Sequence, residues 1–445
     1  MMNPNRRLRT LTLTLLALSL PCACGGKAAK FDVRASGERF IDLLAKGSFP
    51  TAAKSFDKNM RSRVSPSALK EIWQALTTQA GPFKRRAGSR IEQTQEYDVA
   101  RVICKFERGE LEARVVFRDK LIGGLWFVPI DGYKPPPYAN ENAFVERDVF
   151  VGTGRWRLPG TLTVPVGEGP HPAVALVHGS GPADRDEAIG PNKPFRDLAW
   201  GLASRGIAVL RYDKRTKVYA AKLAPLMDRI TVKEETVGDA VAAVSLLRKT
   251  KGIDAKRIFV LGHSLGGTLI PRVGASDPNI TGFIVMAGCA RPLEDVILDQ
   301  FSYIYSLDGH VSRREAAQLR TLKRRVARVK SRSLSVRTRR GSLPLDIPAG
   351  YWLDLRGYSP AAAAKRLKRP MLIMQGARDY QVTEKDFQLW KKALSSRRDV
   401  TFKMYANLNH LFMEGDGKSV PVDYAFPGHV AEPAVNDIAE WIKAQ

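Results

Sequence analysis

Histidine is scarce in this chain, with six among 445 residues. Chemistry that needs a side chain titrating near neutral pH therefore has few candidates, and each can be weighed singly. Cysteine is scarcer still, four in all, which excludes a disulfide-dense small scaffold. Cys104 and Cys289 lie far apart in different predicted domains, so two free thiols are expected rather than a bridge. Acids are few beside bases: 45 Asp and Glu face 71 Lys and Arg, a formal net charge of +26. Such a balance speaks to anionic partners, not to fold. An anionic membrane surface is a candidate partner. Nucleic acid is not expected, because no aromatic ladder for base stacking accompanies the basic residues. Beyond the first residues no segment approaches 18 consecutive apolar positions, so no internal transmembrane helix is expected.

What is present begins with Arg6, Arg7 and Arg9, followed by an apolar run from Leu11 to Leu20. That run is short for a bilayer span and reads as the core of an export signal over residues 1–24. The stretch Pro21-Cys22-Ala23-Cys24-Gly25-Gly26 resembles a bacterial lipobox, except that Pro21 stands where Leu is usual. The expectation is an exported protein, periplasmic or anchored at the cell envelope through a lipid on Cys24.

Residues 35–130 read as a small α+β accessory domain. Phe40–Leu44 suits an amphipathic helix, and Ser65 and Pro66 are placed to start a second one over Ser67–Gln79. Strand-like stretches come next at 90–96, 98–108, 111–118 and 125–130. Cys104, Phe106, Val115 and Phe117 alternate as in a half-buried antiparallel sheet. Residues 131–140, with Pro135, Pro136 and Pro137, form a stiff linker.

Over 141–445 the pattern changes to short apolar runs alternating with helical segments. Val145–Val151 and Leu158–Val166 are strand-like and joined through a turn that begins at Gly152; the alternating runs after them are Ala173–Val177, Ile207–Arg211, Ile258–Leu261, Phe283–Met286, Met371–Met374 and Val400–Tyr405. Continuously apolar strands between helices predict a parallel sheet covered on both faces, hence an α/β fold. The interval between Met286 and Met371 is too long for a simple crossover and predicts an inserted cap at about 290–360 with a helix over Val311–Lys330. Between Val311 and Arg340 twelve Lys or Arg residues stand against one acid, Glu315.

Strand Ile258–Leu261 leads into Gly262-His263-Ser264-Leu265-Gly266-Gly267, a G-x-S-x-G elbow in its strand–turn–helix context. Gly262 and Gly266 are expected where a side chain would collide, with His263 built into the turn and Ser264 as nucleophile. A serine needs a base. His171, His178 and His310 lie before the nucleophile or in the insert, leaving His410 and His429 after the last strand; His410, five residues past Tyr405, is at loop distance. Asp379, five residues past Met374, is the orienting acid, and Asp213 reads as a salt-bridged loop residue. The loop His178-Gly179-Ser180-Gly181 offers an oxyanion hole, with Leu265 as one amide donor and Ser180 or Gly181 as the other. The acidic run Asp184–Glu187 reads as a self-paired loop rather than a metal site. No cofactor or metal is expected.

These motifs, with Gly288–Glu294 and Tyr351–Leu355, resemble the α/β-hydrolase superfamily in its serine aminopeptidase-like and dienelactone hydrolase-like branches over residues 145–443. Residues 35–128 resemble the domain of unknown function DUF3887. The resemblance implies the same triad, Ser264, Asp379 and His410, an α/β-hydrolase fold with a helical cap, and an acyl substrate, small or peptidyl. Dienelactone hydrolases typically use cysteine as nucleophile, and Ser264 departs from them there. The leading expectation is hydrolysis of a carboxylic ester or thioester through an acyl-enzyme. An exported serine peptidase and an inactive envelope-binding protein on the same scaffold remain as alternatives.

Overall fold

The computed structural model describes residues 31–445, apart from 94–96, 108 and 130–132. The expected export signal and Cys24 lie outside the described residues, as does part of the linker.

The first unit starts with helices α1 (Val33–Ala45), α2 (Phe49–Ala53), α3 (Lys58–Arg63) and α4 (Pro66–Ala80). As the sequence implied, Pro66 opens α4 and the Ser65 hydroxyl accepts the Ala68 amide at 3.1 Å. Strands β1 (Phe83–Gln93), β2 (Asp98–Phe106), β3 (Gly109–Arg118) and β4 (Leu121–Pro129) form an antiparallel sheet in that order. β1 begins seven residues earlier than its apolar pattern indicated, because its early residues are largely exposed and carry little periodic signal. Val102, Cys104 and Phe106 point into one core with Phe40, Phe56, Trp73 and Phe127. The two shortest helices were invisible to periodicity, being under two turns long.

The second unit holds β5 (Phe144–Val151), β6 (Leu158–Pro165), β7 (His171–Val177), α5 (Pro194–Ala203) and β8 (Ala208–Tyr212). Single turns α6 (Arg215–Val218) and α7 (Ala220–Leu223) precede a π-helical turn, Lys233–Val237, that runs into α8 (Gly238–Arg248). Next come β9 (Ile253–His263), α9 (Leu265–Ser276) and β10 (Gly282–Met286). The insert supplies α10 (Leu293–Ile304), α11 (Arg313–Lys330), α12 (Ala349–Leu355) and α13 (Pro360–Ala364). The chain returns through β11 (Met371–Gly376), α14 (Glu384–Leu394), β12 (Val400–Tyr405) and α15 (Glu432–Lys443).

These eight strands make one sheet in the order β12-β11-β10-β9-β7-β8-β6-β5. The six strands β7 to β12 run parallel, as their alternation with helices implied. β5 and β6 form an antiparallel hairpin, and β6 runs antiparallel to β8. The edge strand β5 is exposed over most of its length. In the centre, alternate residues serve opposite cores. Ile258, Val260, Phe283, Val285, Met371 and Ile373 face α8, α9 and α14, while Phe259, Leu261, Ile284, Met286, Leu372 and Met374 face α5 and α15. Burial on both faces explains why each strand reads as an unbroken apolar run.

The linker is pinned to this unit. Tyr133 donates to Asp197 Oδ1 at 2.6 Å and Tyr138 to the Val430 carbonyl at 2.6 Å. The insert has a core of its own, with Ile297, Leu322, Val326, Leu343 and Trp352 buried together. It also reaches the loops after β11 and β12, where Ile304 and Tyr305 pack with Tyr380, Leu411 and Met413. Arg272 of α9 holds Asp354 at 2.8 Å, and Tyr358 donates to the Thr268 carbonyl at 2.9 Å. The insert therefore lies along the edge where the parallel strands end.

Removing the α4 cap tests the first unit on its own. Ser65→Ala should lower its stability by about 1 kcal/mol, the usual cost of losing a serine N-cap, read as a shifted denaturation midpoint. An unchanged midpoint would show that this cap contributes nothing.

Candidate active site

β9 carries the chain straight into Ser264, whose backbone sits at φ 54°, ψ −118°. A non-glycine residue at positive φ is strained, and such strain persists only where its surroundings enforce it. Here the enforcement is main chain. The Ser264 amide donates to the Met286 carbonyl of β10 at 2.9 Å. A Cβ on Gly262 would fall 2.4 Å from the Gly266 carbonyl, and one on Gly266 would fall 2.2 Å from the Val177 carbonyl oxygen. Neither position admits a side chain. Leu265 is the first residue of α9, so its amide has no intrahelical acceptor.

Asp379 and His410 come together at the same edge. The Asp379 carboxylate is 1% exposed, and its Oδ2 accepts from His410 Nδ1 at 2.6 Å. Its Oδ1 accepts the Gln381 and Val382 amides at 2.7 and 3.1 Å. Gln375 Nε2, which no sequence motif singles out, donates to Oδ2 at 3.2 Å and to the Val382 carbonyl at 2.8 Å. With Nδ1–H committed to Asp379, the neutral imidazole presents a bare Nε2. The His410 loop is shaped by Asn409, whose Oδ1 accepts the Leu411 and Met413 amides at 2.9 and 3.1 Å. It also packs backbone on backbone: a Cβ on Gly376 would lie 2.3 Å from the Leu408 carbonyl oxygen. The Ser264 hydroxyl makes no hydrogen bond among the described residues; such contacts are often open in substrate-free sites and close on binding.

The other histidines go elsewhere. His429 Nδ1 lies 3.1 Å from Asp197 Oδ1, the oxygen that also accepts from Tyr133. His178 donates through Nε2 to the Asp184 carbonyl at 3.0 Å, and burial pushes its pKa down to about 4, leaving it neutral. His310 is exposed in the insert.

The loop after β7 abuts Ser264. A Cβ on Gly179 would lie 3.1 Å from Ser264 Cβ. Both main-chain groups of Gly179 are held by buried charges: its amide donates to Glu187 Oε1 at 2.6 Å, and its carbonyl accepts from Lys214 Nζ at 2.7 Å. The Gly179 amide is thus occupied, whereas the Ser180 and Gly181 amides donate to no acceptor among the described residues. Lys214 also pairs with Glu235 at 2.8 Å, and Glu235 accepts from Tyr351 of α12 at 2.7 Å.

The acidic run Asp184–Glu187 disperses rather than pairing with itself. Asp184 accepts the Asp186 and Ala188 amides, Arg185 reaches Asp213, Asp186 meets Arg211, Lys193 and Arg196, and Glu187 meets His263. The Arg185 contact makes Asp213 a salt-bridged loop residue, as expected. Among the described residues no group of three or more His, Cys, Asp or Glu side chains is arranged to hold a metal. Glu187 and Lys214 were missed because their partners lie on other strands' loops, a relation no local spacing encodes. Cys104 and Cys289 are buried free thiols, each pushed up to about 12 by burial.

A strained serine on a strand–helix elbow, with an Asp–His pair and a glycine-rich loop on the same edge of this sheet, defines a serine hydrolase of the α/β-hydrolase class. The model of the family described as serine aminopeptidase, S33, matches residues 170–416, and that of the protein family of unknown function DUF3887 matches residues 37–125. The chain belongs to the serine aminopeptidase S33 family. Esterase EstD of Thermotoga maritima is 40% identical over 411 residues, covering 91% of this chain and 93% of its own. Among solved structures, Est1E of Butyrivibrio proteoclasticus is 14% identical with a TM-score of 0.43, covering 67% of this chain and 99% of its own. A dienelactone hydrolase from Anabaena variabilis is 17% identical with a TM-score of 0.40, over 68% and 98%.

The packing of Gly376 beneath the His410 loop gives a direct test. Gly376→Ala should displace the Leu408–His410 main chain and cut kcat by roughly tenfold or more, since small misplacements of catalytic groups are costly. Steady-state turnover on an ester substrate, beside an unchanged far-ultraviolet dichroism spectrum, reads the effect.

Proposed function

We propose that the chain hydrolyses carboxylic esters or thioesters of modest size through an acyl-enzyme on Ser264. The observation that carries this reading is the buried 2.6 Å hydrogen bond between His410 and Asp379 at the edge where the strained Ser264 turn lies. Ser264 Oγ attacks the acyl carbon while His410 Nε2 takes its proton, and Asp379 stabilises the imidazolium that forms. The Leu265 amide, with that of Ser180 or Gly181, stabilises the oxyanion. Collapse breaks the bond to the alkoxide or thiolate leaving group, which receives the proton from His410. Water then repeats the sequence and releases the acid. The esterase name of the Thermotoga maritima relative supports an ester over an amide. The alternative, a peptidase, draws on the family's own description.

A fluorophosphonate probe should label one peptide, the one containing Ser264. Ser264→Ala should abolish labelling, and His410→Ala should depress turnover roughly 10³-fold or more. A panel of p-nitrophenyl esters, a thioester, a lactone and aminoacyl amides should show turnover of short or medium acyl esters and little amide cleavage. Preferential amide cleavage would establish the peptidase instead, and full activity in either variant would overturn the mechanism.

We further propose that the protein is exported and works at an anionic membrane surface of the cell envelope. The basic N-terminal stretch with its short apolar core supports export. The cap supports the surface: Arg320, Lys323, Arg324, Arg328, Arg332, Arg337 and Arg339 are exposed and have no acidic partner among the described residues. Intact-mass measurement of protein from the native host should show cleavage near Ala23, with a diacylglyceryl adduct if Cys24 is lipidated; an unprocessed Met1 start refutes export. Vesicles containing phosphatidylglycerol should retain the protein where phosphatidylcholine vesicles do not, and charge reversal of Arg320, Arg324 and Arg328 or high salt should release it. Equal retention on both vesicle types refutes the surface.

A further inference from the structure

We propose that His263 and Glu187 form a positioning ion pair, an imidazolium and a carboxylate buried between the loop after β7 and the loop that carries His410. The pair deepens the catalytic assignment above and rests on it for the roles of Ser264, His410 and the Ser180 and Gly181 amides.

The geometry requires two protons in the two contacts of His263. His263 Nδ1 lies 2.8 Å from Glu187 Oε2, and Nε2 lies 2.9 Å from the His410 carbonyl oxygen. The His410 carbonyl only accepts, so Nε2 carries a proton, and the contact with Glu187 holds a second; with Glu187 ionised that proton is on Nδ1 and His263 is an imidazolium. His263 is 3% exposed and Glu187 5%. A charge so buried persists only with a partner, and each supplies the other's. The remaining Glu187 oxygen takes the Gly179 amide at 2.6 Å. An unbroken chain, Gly179 N–H to Glu187 to His263 to the His410 carbonyl, therefore ties the loop beside the nucleophile to the backbone of the base.

The surrounding groups act in the same direction. Burial alone would push the His263 imidazolium down, yet the charge and hydrogen bond of Glu187, the His410 carbonyl and the charge of Asp379 carry it above its ordinary value of 6.5. Burial alone would raise the Glu187 carboxyl, yet the His263 charge and hydrogen bond, with His178 and the Gly179 amide, carry it below its ordinary 4.5. Lys214, which grips the Gly179 carbonyl, is the further charge on this loop. The two imidazole rings, His263 and His410, lie 4.7 Å apart between centroids.

Neither residue has a part in bond making. Their work is to keep the oxyanion loop and the base in fixed relation, where a shift of about 1 Å costs on the order of 10²-fold in rate. Glu187→Gln offers a conservative substitute. Its carbonyl can accept from Gly179, its NH₂ can donate to Nδ1 of a neutral His263, and Nε2–H can still reach the His410 carbonyl.

The test joins kinetics to histidine spectroscopy. Glu187→Ala and His263→Asn should each lower kcat roughly 10²-fold with KM changed by no more than about threefold, while Glu187→Gln stays within about tenfold of the parent. In ¹⁵N-histidine spectra of the parent at about pH 8, above the ordinary imidazole range, both His263 ring nitrogens should be protonated, the resonance being assigned by its loss in His263→Asn. In Glu187→Gln only one should be. A neutral His263 in the parent overturns the proposal, as does Glu187→Ala turning over at the parental rate or Glu187→Gln falling as low as Glu187→Ala. Should Glu187→Ala fail to fold, the parental spectrum and Glu187→Gln still decide. Phosphonate labelling of parental Ser264 separates the two levels: labelled Ser264 with indifferent pair variants removes the pair alone, whereas unlabelled Ser264 removes the catalytic assignment as well.

Discussion

Backbone passing close against backbone is the constraint on which this site depends. The Ser264 turn is strained because the Gly262, Gly266 and Val177 main chains occupy the space around it, and the sheet bond to Met286 holds it there. The Gly376–Leu408 contact does the same beneath His410. Positions fixed by main chain barely relax, since peptide groups have no rotamers to change. Ser264 and His410 are therefore placed by the sheet itself, and side chains refine what the sheet has set.

Those refinements are electrostatic and buried. Gly179 has its amide on Glu187 and its carbonyl on Lys214, so one peptide is gripped from both ends by opposite charges. Each charge has its own counter-ion, His263 for Glu187 and Glu235 for Lys214. Arg211, 1% exposed, is likewise matched by Asp186 and Glu146. Stripping one partner from such a pair leaves a charge without water or counter-ion, which costs far more than the pair contributes as a whole. The surplus of basic residues belongs to the surface, and the interior of the site is closely balanced.

Much of this was legible in the chain. Ser264, Asp379 and His410 each come a short interval after an apolar strand, and parallel strands deliver their succeeding loops to one edge. The central strands of the larger sheet could be read because burial on both faces writes an unbroken apolar run, and the Ser65 cap because its chemistry is local. What could not be read is non-local or aperiodic. Nothing near Glu187 announces that its partner is His263, 76 positions away. Asp184–Glu187 looked like one cluster, yet Asp184 bonds within its own loop while Arg185, Asp186 and Glu187 reach Asp213, Arg211 and His263. The early part of β1 is exposed on most of its length, and the antiparallel turn of β5 and β6 depends on which edge the hairpin joins, which periodicity does not record.

The insert leaves the sheet at the end of β10 and re-enters at β11, and these two strands are parallel neighbours. Its two ends are thus anchored on neighbouring strands, one at the end of β10 and the other at the start of β11, whatever lies between them. Chain added to or removed from such an excursion alters the walls around the acyl group without moving any strand, and loop entropy penalises added length only slowly. Lineages descended from a common ancestor of this architecture can therefore exchange substrate preference by remodelling one segment while the chemistry beneath it is inherited intact.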